Sequence, residues 1–115
     1  MVDSDIIFAV VAGLVVLFML FKRKGDISSE AAHELVDAGA LLVDVRSPAE
    51  FGAGHIRGAI NIPVQSLPQR LKELDDKERP LVLYCASGAR SASAAGMLRS
   101  AGYKKVHNLG AKSRW

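Results

Sequence analysis

Leu81-Val82-Leu83-Tyr84-Cys85 is an unbroken apolar run that gives way to four small residues, Ala86-Ser87-Gly88-Ala89, then to Arg90 and a helix-like segment ending at Ser100. A strand without polar alternation is buried on both faces, and such strands belong to parallel sheets covered by helices. Leu41-Leu42-Val43-Asp44-Val45 repeats the pattern, Ala59 to Pro63 gives another short strand, and Lys105 to Leu109 a last one. Helix signals fall between them. Ser28 or Ser29 can cap a helix through Ala38, with Glu30 in its first turn and Gly39 at its end. Ser47-Pro48-Ala49-Glu50 reads as a capping box with proline at the first helical position, and Ser66 to Leu74 places Leu67, Leu71 and Leu74 on one helical face. The alternation predicts an α/β domain with a mostly parallel sheet flanked by helices on both faces. Residues 25–115, about ninety in all, can bury one modest core.

The chain divides before that domain. Ile6 to Phe21 carries no charge and no polar side chain, and Lys22-Arg23-Lys24 follows at once. As a helix its sixteen residues rise about 24 Å, a little short of a ~30 Å hydrocarbon core. A buried core helix fits poorly, because every side is apolar and the end is abrupt. A cleaved signal peptide fits poorly too, given the acidic start at Asp3 and Asp5 and no A-x-A-like site. The expectation is an uncleaved single-pass transmembrane anchor over residues 1–24, touching the membrane through residues 6–21, with the domain of residues 25–115 behind it. The basic flank would hold that domain in the cytoplasm with the N-terminus outside. The Ala9-x-x-x-Gly13 spacing would let two such spans pack as a weak homodimer.

Cys85 is the only cysteine, which excludes an intrachain disulfide, and no Cys/His spacing suggests a metal. The net charge of +3 is mild, and nucleic acid is not an expected partner. Cys85 ends its strand where open α/β sheets bind ligands. Ala86, Ser87, Gly88 and Ala89 let the backbone curl so that amides converge, and the following helix turns its positive end to the same point. A thiolate would be stabilised there relative to the thiol, as a nucleophile. Arg90 adds a permanent cation beside the loop. The constellation calls for an anionic substrate whose electrophilic atom meets sulfur.

These residues resemble the active-site loop of the rhodanese-like sulfurtransferases, with Cys85-Ala86-Ser87-Gly88-Ala89-Arg90 as the cysteine-to-arginine loop. Val43-Asp44-Val45-Arg46 resembles the family's "DVR" strand end. Glu50-Phe51 followed by Gly54-His55-Ile56-Arg57-Gly58-Ala59-Ile60-Asn61-Ile62-Pro63 resembles its "GHIxGAxNIP" signature. Ala101-Gly102-Tyr103 and Asn108-Leu109-Gly110 resemble the closing elements. The likeness covers nearly all of Ile27 to Trp115.

The resemblance implies a rhodanese-like fold and a double displacement without metal or organic cofactor. Cys85 would take sulfane sulfur from a donor such as thiosulfate, and a thiol or cyanide would remove it. Loop amides from Ala86 to Arg90 would hold the charge of the persulfide, and Arg90 would attract the donor. Asp44, Arg46 and His55 are expected to support the site structurally. Four residues separate Cys85 from Arg90, as in sulfurtransferases, whereas the related dual-specificity phosphatases have a longer loop. No acid is evident near the loop, and sulfite leaves without one. Two departures stand out: Ala86, Ser87 and Ala89 add no cation, and Ala111-Lys112 follow Gly110 where the family has another glycine and an apolar residue. A purely recruiting, non-catalytic module is the rival reading. Trp115 is expected either to close the domain or to cover the pocket.

Overall fold

The computed structural model describes residues 3–23 and 25–115, with side chains for 3–17 and 25–115. Helix α1 spans Ser4–Arg23. The domain proper is tied down from Asp26, whose amide donates to the Asn108 carbonyl at 2.7 Å while its carboxylate accepts from the Asn108 amide at 2.7 Å. Gly25 (φ 75°) precedes it, and a Cβ there would collide with the Asn108 and Leu109 carbonyls.

Helix α2 is Ser29–Asp37, and Ser28 caps it by accepting from the Ala31 amide at 3.1 Å. Strand β1, Leu41–Asp44, leads to α3, Pro48–Ala53. There the capping box is complete: Ser47 Oγ accepts from the Glu50 amide at 3.2 Å and Glu50 Oε1 accepts from the Ser47 amide at 3.1 Å. Strand β2 is only Ile60–Asn61. Strand β3, Leu81–Cys85, runs into α4, Ala89–Ser100, and β4 is Val106–Ala111.

All four strands pair in parallel, in the order β2-β1-β3-β4. Side chains of β3 alternate between two cores, as the pleat requires. Leu81, Leu83 and Cys85 join Val43, Val45, Ile62, Leu67, Ala94 and Leu98 under α4. Val82 and Tyr84 join Ala32, Leu42, Ile56 and Leu109 under α2. The fold is therefore α/β, a parallel sheet flanked by helices. Fully burying a side chain such as Leu83 or Leu98 contributes about 2 kcal/mol. The small Ala94 and Ala95 let α4 lie close over the end of β3.

Three local expectations change. The segment Ser66 to Leu74 is not one α-helix but two 3₁₀ turns, Val64–Gln69 and Leu71–Leu74. Pro68 has no N–H to donate, and Arg70 (φ −117°, ψ 16°) leaves helical geometry between the turns. Leu67 and Leu74 are buried all the same. Helix α4 starts at Ala89, two residues before the Ser91 expected for a helix of Ser91 to Ser100. Strand β4 runs on to Ala111 because a bulge at Leu109 resets its register, pairing Leu83 with Asn108 but Tyr84 with Gly110 (φ 93°).

The larger correction concerns the N-terminus. Among the described residues no helix is long and apolar enough to cross a membrane. This overturns the transmembrane anchor, the membrane contact through residues 6–21 and the placement of the domain in the cytoplasm with the N-terminus outside. The physical reason is length: the uninterrupted apolar run rises about 24 Å, less than a ~30 Å core. With no span, a dimer packed through Ala9 and Gly13 loses its basis. The side chains of Lys22 and Arg23, and all of Lys24, lie outside the described residues.

Candidate functional site

The site forms where β3 hands over to α4. Gly88 stands at the N-cap of α4 with φ 101°, a conformation costly for any residue with a Cβ. It offers no side-chain cap, so the first amides of α4 need another acceptor. Cys85 Sγ is that acceptor. It receives the Gly88 amide at 2.9 Å and the Ser91 amide at 3.4 Å. Ser91 is itself buried; its hydroxyl donates to the Gly88 carbonyl at 3.0 Å and lies 3.5 Å from the sulfur. Negative charge on Sγ thus meets two N–H groups and the positive end of a helix.

The cysteine is fully buried, while Ala86, Ser87 and Ala89 above it are exposed. A cavity of about 330 Å³, lined by Asp26, Ala92, Arg99 and Asn108 among others, lies along α4 and does not include Cys85.

Arg90, the loop's cation, is not idle. Its two terminal nitrogens donate to Glu50 Oε1 and Oε2 at 2.7 and 3.0 Å, from the first turn of α3. The Arg90 hydrogen bonds, joined by the capping amide of Ser47, hold the Glu50 carboxyl down at about 2. An acid does stand near the loop, contrary to expectation. It is ionised throughout the neutral range and has no proton to give.

Asp44 and Arg46 lie at the end of β1, beside the Tyr84–Cys85 strand end. Arg46 Nε donates to both Asp44 oxygens at 3.0 Å and Nη2 donates to Oδ2 at 2.7 Å and to the Gly54 carbonyl at 2.7 Å. Both residues are buried. Asn61 Nδ2 donates to the carbonyls of Asp44 and Arg46, each at 2.9 Å, fixing the same turn from β2. Tyr84 faces away from the sulfur, accepts the Ile56 amide at 3.1 Å, and is pushed up to about 12 by burial and by the Asp44 carboxylate. His55 is exposed, stacked on Phe51 with ring centres 3.7 Å apart, its Nδ1 within 2.9 Å of the Phe51 carbonyl.

The structure thus brings Cys85, Gly88 and Arg90 together, sets the Asp44–Arg46 pair behind the strand ends, and leaves His55 on the surface. Trp115 closes the domain on the opposite face, stacked 3.6 Å from His33. Sequence reasoning missed Ser91 and the second duty of Glu50. A serine directly after the arginine, at the third helical position, was the available sign of the first. Nothing local signals the second.

A cysteine held by amides at a strand-to-helix turn places the chain in the class of parallel α/β domains with a thiol at the end of a central strand. Within that class the chain belongs to the Rhodanese-like domain family, whose model matches residues 28–115. It is 43% identical over 86 residues to a protein named sulfurtransferase from Allochromatium vinosum, covering 73% of this chain and 79% of that one. It is 39% identical over 89 residues to thiosulfate sulfurtransferase GlpE of Stutzerimonas stutzeri, covering 77% and 78%. Among solved structures, the human single-domain sulfurtransferase TSTD1 superposes with a TM-score of 0.67 at 36% identity, over 77% of this chain and 92% of that one. At a general level these relatives support sulfur transfer as the family chemistry.

Proposed function

We propose that this protein moves sulfane sulfur through a persulfide on Cys85. The thiolate attacks the outer sulfur of a donor such as thiosulfate. The new S–S bond forms as the donor's S–S bond breaks, and sulfite leaves with the bonding pair: Cys–S⁻ and S–SO₃²⁻ become Cys–S–S⁻ and SO₃²⁻. A thiol or cyanide then takes the terminal sulfur, and cyanide leaves as thiocyanate. The residues bear separate parts of this. Gly88 and Ser91 amides hold the inner sulfur. The amides of Ala89 and Arg90, in the first turn of the helix and without a partner inside it, are assigned to the charge that would develop on the terminal sulfur. Asp44, Arg46 and His55 serve the scaffold.

The observation that carries the reading is Cys85 Sγ replacing the missing cap of α4, accepting two backbone amides. The test is the intact mass of the protein after thiosulfate. A gain of one sulfur, removed by cyanide and absent in Cys85→Ser, supports the proposal. No gain across several donors in a folded sample overturns it. The burial of Cys85 and the occupation of Arg90 by Glu50 favour a second reading, a recruiting module without turnover. That reading takes over if no donor loads the sulfur.

A further inference from the structure

Arg90 is the only cation within the loop from Cys85 to Arg90, and Glu50 holds it with both carboxylate oxygens. Its guanidinium also feels Cys85 and Asp44. Asp44 is matched by Arg46 and Arg90 by Glu50, so Glu50 cancels a positive charge that a donor would otherwise meet beside Cys85. Once the thiolate forms, two negative groups face one positive group. A dianion approaching this trio meets net repulsion, and two of the N–H donors on Arg90 are already engaged by Glu50. A donor with a single charge meets half that repulsion and makes less demand on the guanidinium.

We propose that Glu50 sets the charge class of the sulfur donor, selecting singly charged sulfane-sulfur compounds over dianions by holding Arg90. The inference rests on the persulfide reading above. Glu50 acts through Arg90, so it is a positioning residue for specificity, and it touches no reacting atom.

A matched pair of donors isolates charge. Thiosulfate is a dianion; methanethiosulfonate, CH₃SO₂S⁻, is a monoanion of similar shape. Cys85 thiolate takes the outer sulfur of the second as it does of the first: Cys–S⁻ and CH₃SO₂S⁻ become Cys–S–S⁻ and CH₃SO₂⁻. Methanesulfinate leaves with the bonding pair and, like sulfite, needs no proton. Glu50→Gln is the matching change in the protein, because glutamine also satisfies a capping box and so keeps the start of α3 while removing the charge.

The experiment measures kcat/KM for loading of Cys85 by each donor, followed as mass gain, in the wild-type protein and in E50Q. The wild type is expected to prefer methanethiosulfonate. In E50Q, kcat/KM for thiosulfate should rise on the order of tenfold, mostly through KM, while that for methanethiosulfonate changes by less than about threefold. A scaffold defect would lower both donors together, so the ratio between them is the reading that matters. A wild type that prefers thiosulfate, or an E50Q that shifts both donors equally, overturns the role of Glu50 and leaves the persulfide reading intact. Failure of both proteins to load with either donor overturns both.

Discussion

The Ser91 amide points at Cys85 Sγ from 3.4 Å, at the third residue of α4, where a helix ordinarily finds the oxygen of its N-cap side chain. The sulfur therefore caps α4 with the same lone pairs that the proposed persulfide chemistry would use. Gly88 makes this possible, because its φ of 101° turns its amide onto the sulfur at 2.9 Å. Gly88→Ala forces a Cβ into that conformation at a cost of about 1–2 kcal/mol. It should lower the thermal midpoint measurably and slow Cys85 persulfide formation on the order of tenfold or more, since a donor aimed at developing charge is displaced. Loading that is unchanged in a destabilised Gly88→Ala would separate the loop's shape from its chemistry.

Asp44 and Arg46 form the most enclosed ion pair in the domain, with side chains 0% and 9% exposed. Removing one partner of such a pair leaves an uncompensated buried charge, at a cost of about 3–5 kcal/mol. Arg46→Ala should lose about that much in urea unfolding, and also frees the Gly54 carbonyl that Arg46 holds. The double replacement Asp44→Leu with Arg46→Met should be less damaging than Arg46→Ala alone, because both charges go together. Additive losses in that cycle would show the pair to be independent surface-like charges.

Much of this was legible along the chain, and the reason lies in range. The capping box Ser47-x-x-Glu50, the strand-to-loop-to-helix run at Leu81–Ser100 and the parallel sheet all follow from residues within a few positions of one another. The Glu50–Arg90 pair joins positions 40 apart through two elements packed on the same strand ends, and neither residue's neighbours announce it. Glu50 was visible as a helix cap, and that local duty concealed the other. The 3₁₀ turns after Pro63 were hidden differently: the Leu67, Leu71, Leu74 spacing is compatible with either helix type, and Pro68 decided it. The N-terminal run misled through composition, since apolar character alone outweighed its shortness.

Tyr84 stands on the face of β3 opposite the sulfur, and its hydroxyl accepts the buried Ile56 amide at 3.1 Å. Tyr84→Phe leaves that N–H unsatisfied and should cost about 1–3 kcal/mol in unfolding free energy, with the persulfide reaction little changed. Burial raises the Tyr84 phenol from 10.0 to about 12, so the folded protein keeps its proton after the unfolded chain has lost it. The stability from Tyr84 is complete below pH 10 and falls as pH rises from 10 to about 12. An ultraviolet titration should find this phenol ionising only at the high end of that range, together with unfolding. Ionisation near 10 in the folded protein would contradict the burial.

Acid probes the other pair. Arg90, with Ser47, holds the Glu50 carboxyl at about 2, against 4.5 in the unfolded chain, so as pH falls the unfolded chain takes up the proton first. The stabilisation from Glu50 is therefore complete above about pH 4.5 and is lost as pH falls through the folded value near 2. Arg90 stays charged across the whole range, which makes Glu50 the sole titrating partner of the two. The difference in thermal midpoint between the wild type and E50Q should be constant from neutrality down to about pH 5 and should close between 4.5 and 2. Because the pair is about a third exposed on each side, added salt should narrow the difference at neutral pH as well. A difference that closes already near pH 6 would mean that Glu50 is not held by Arg90 in solution, and the guanidinium would then be free to meet an anionic donor.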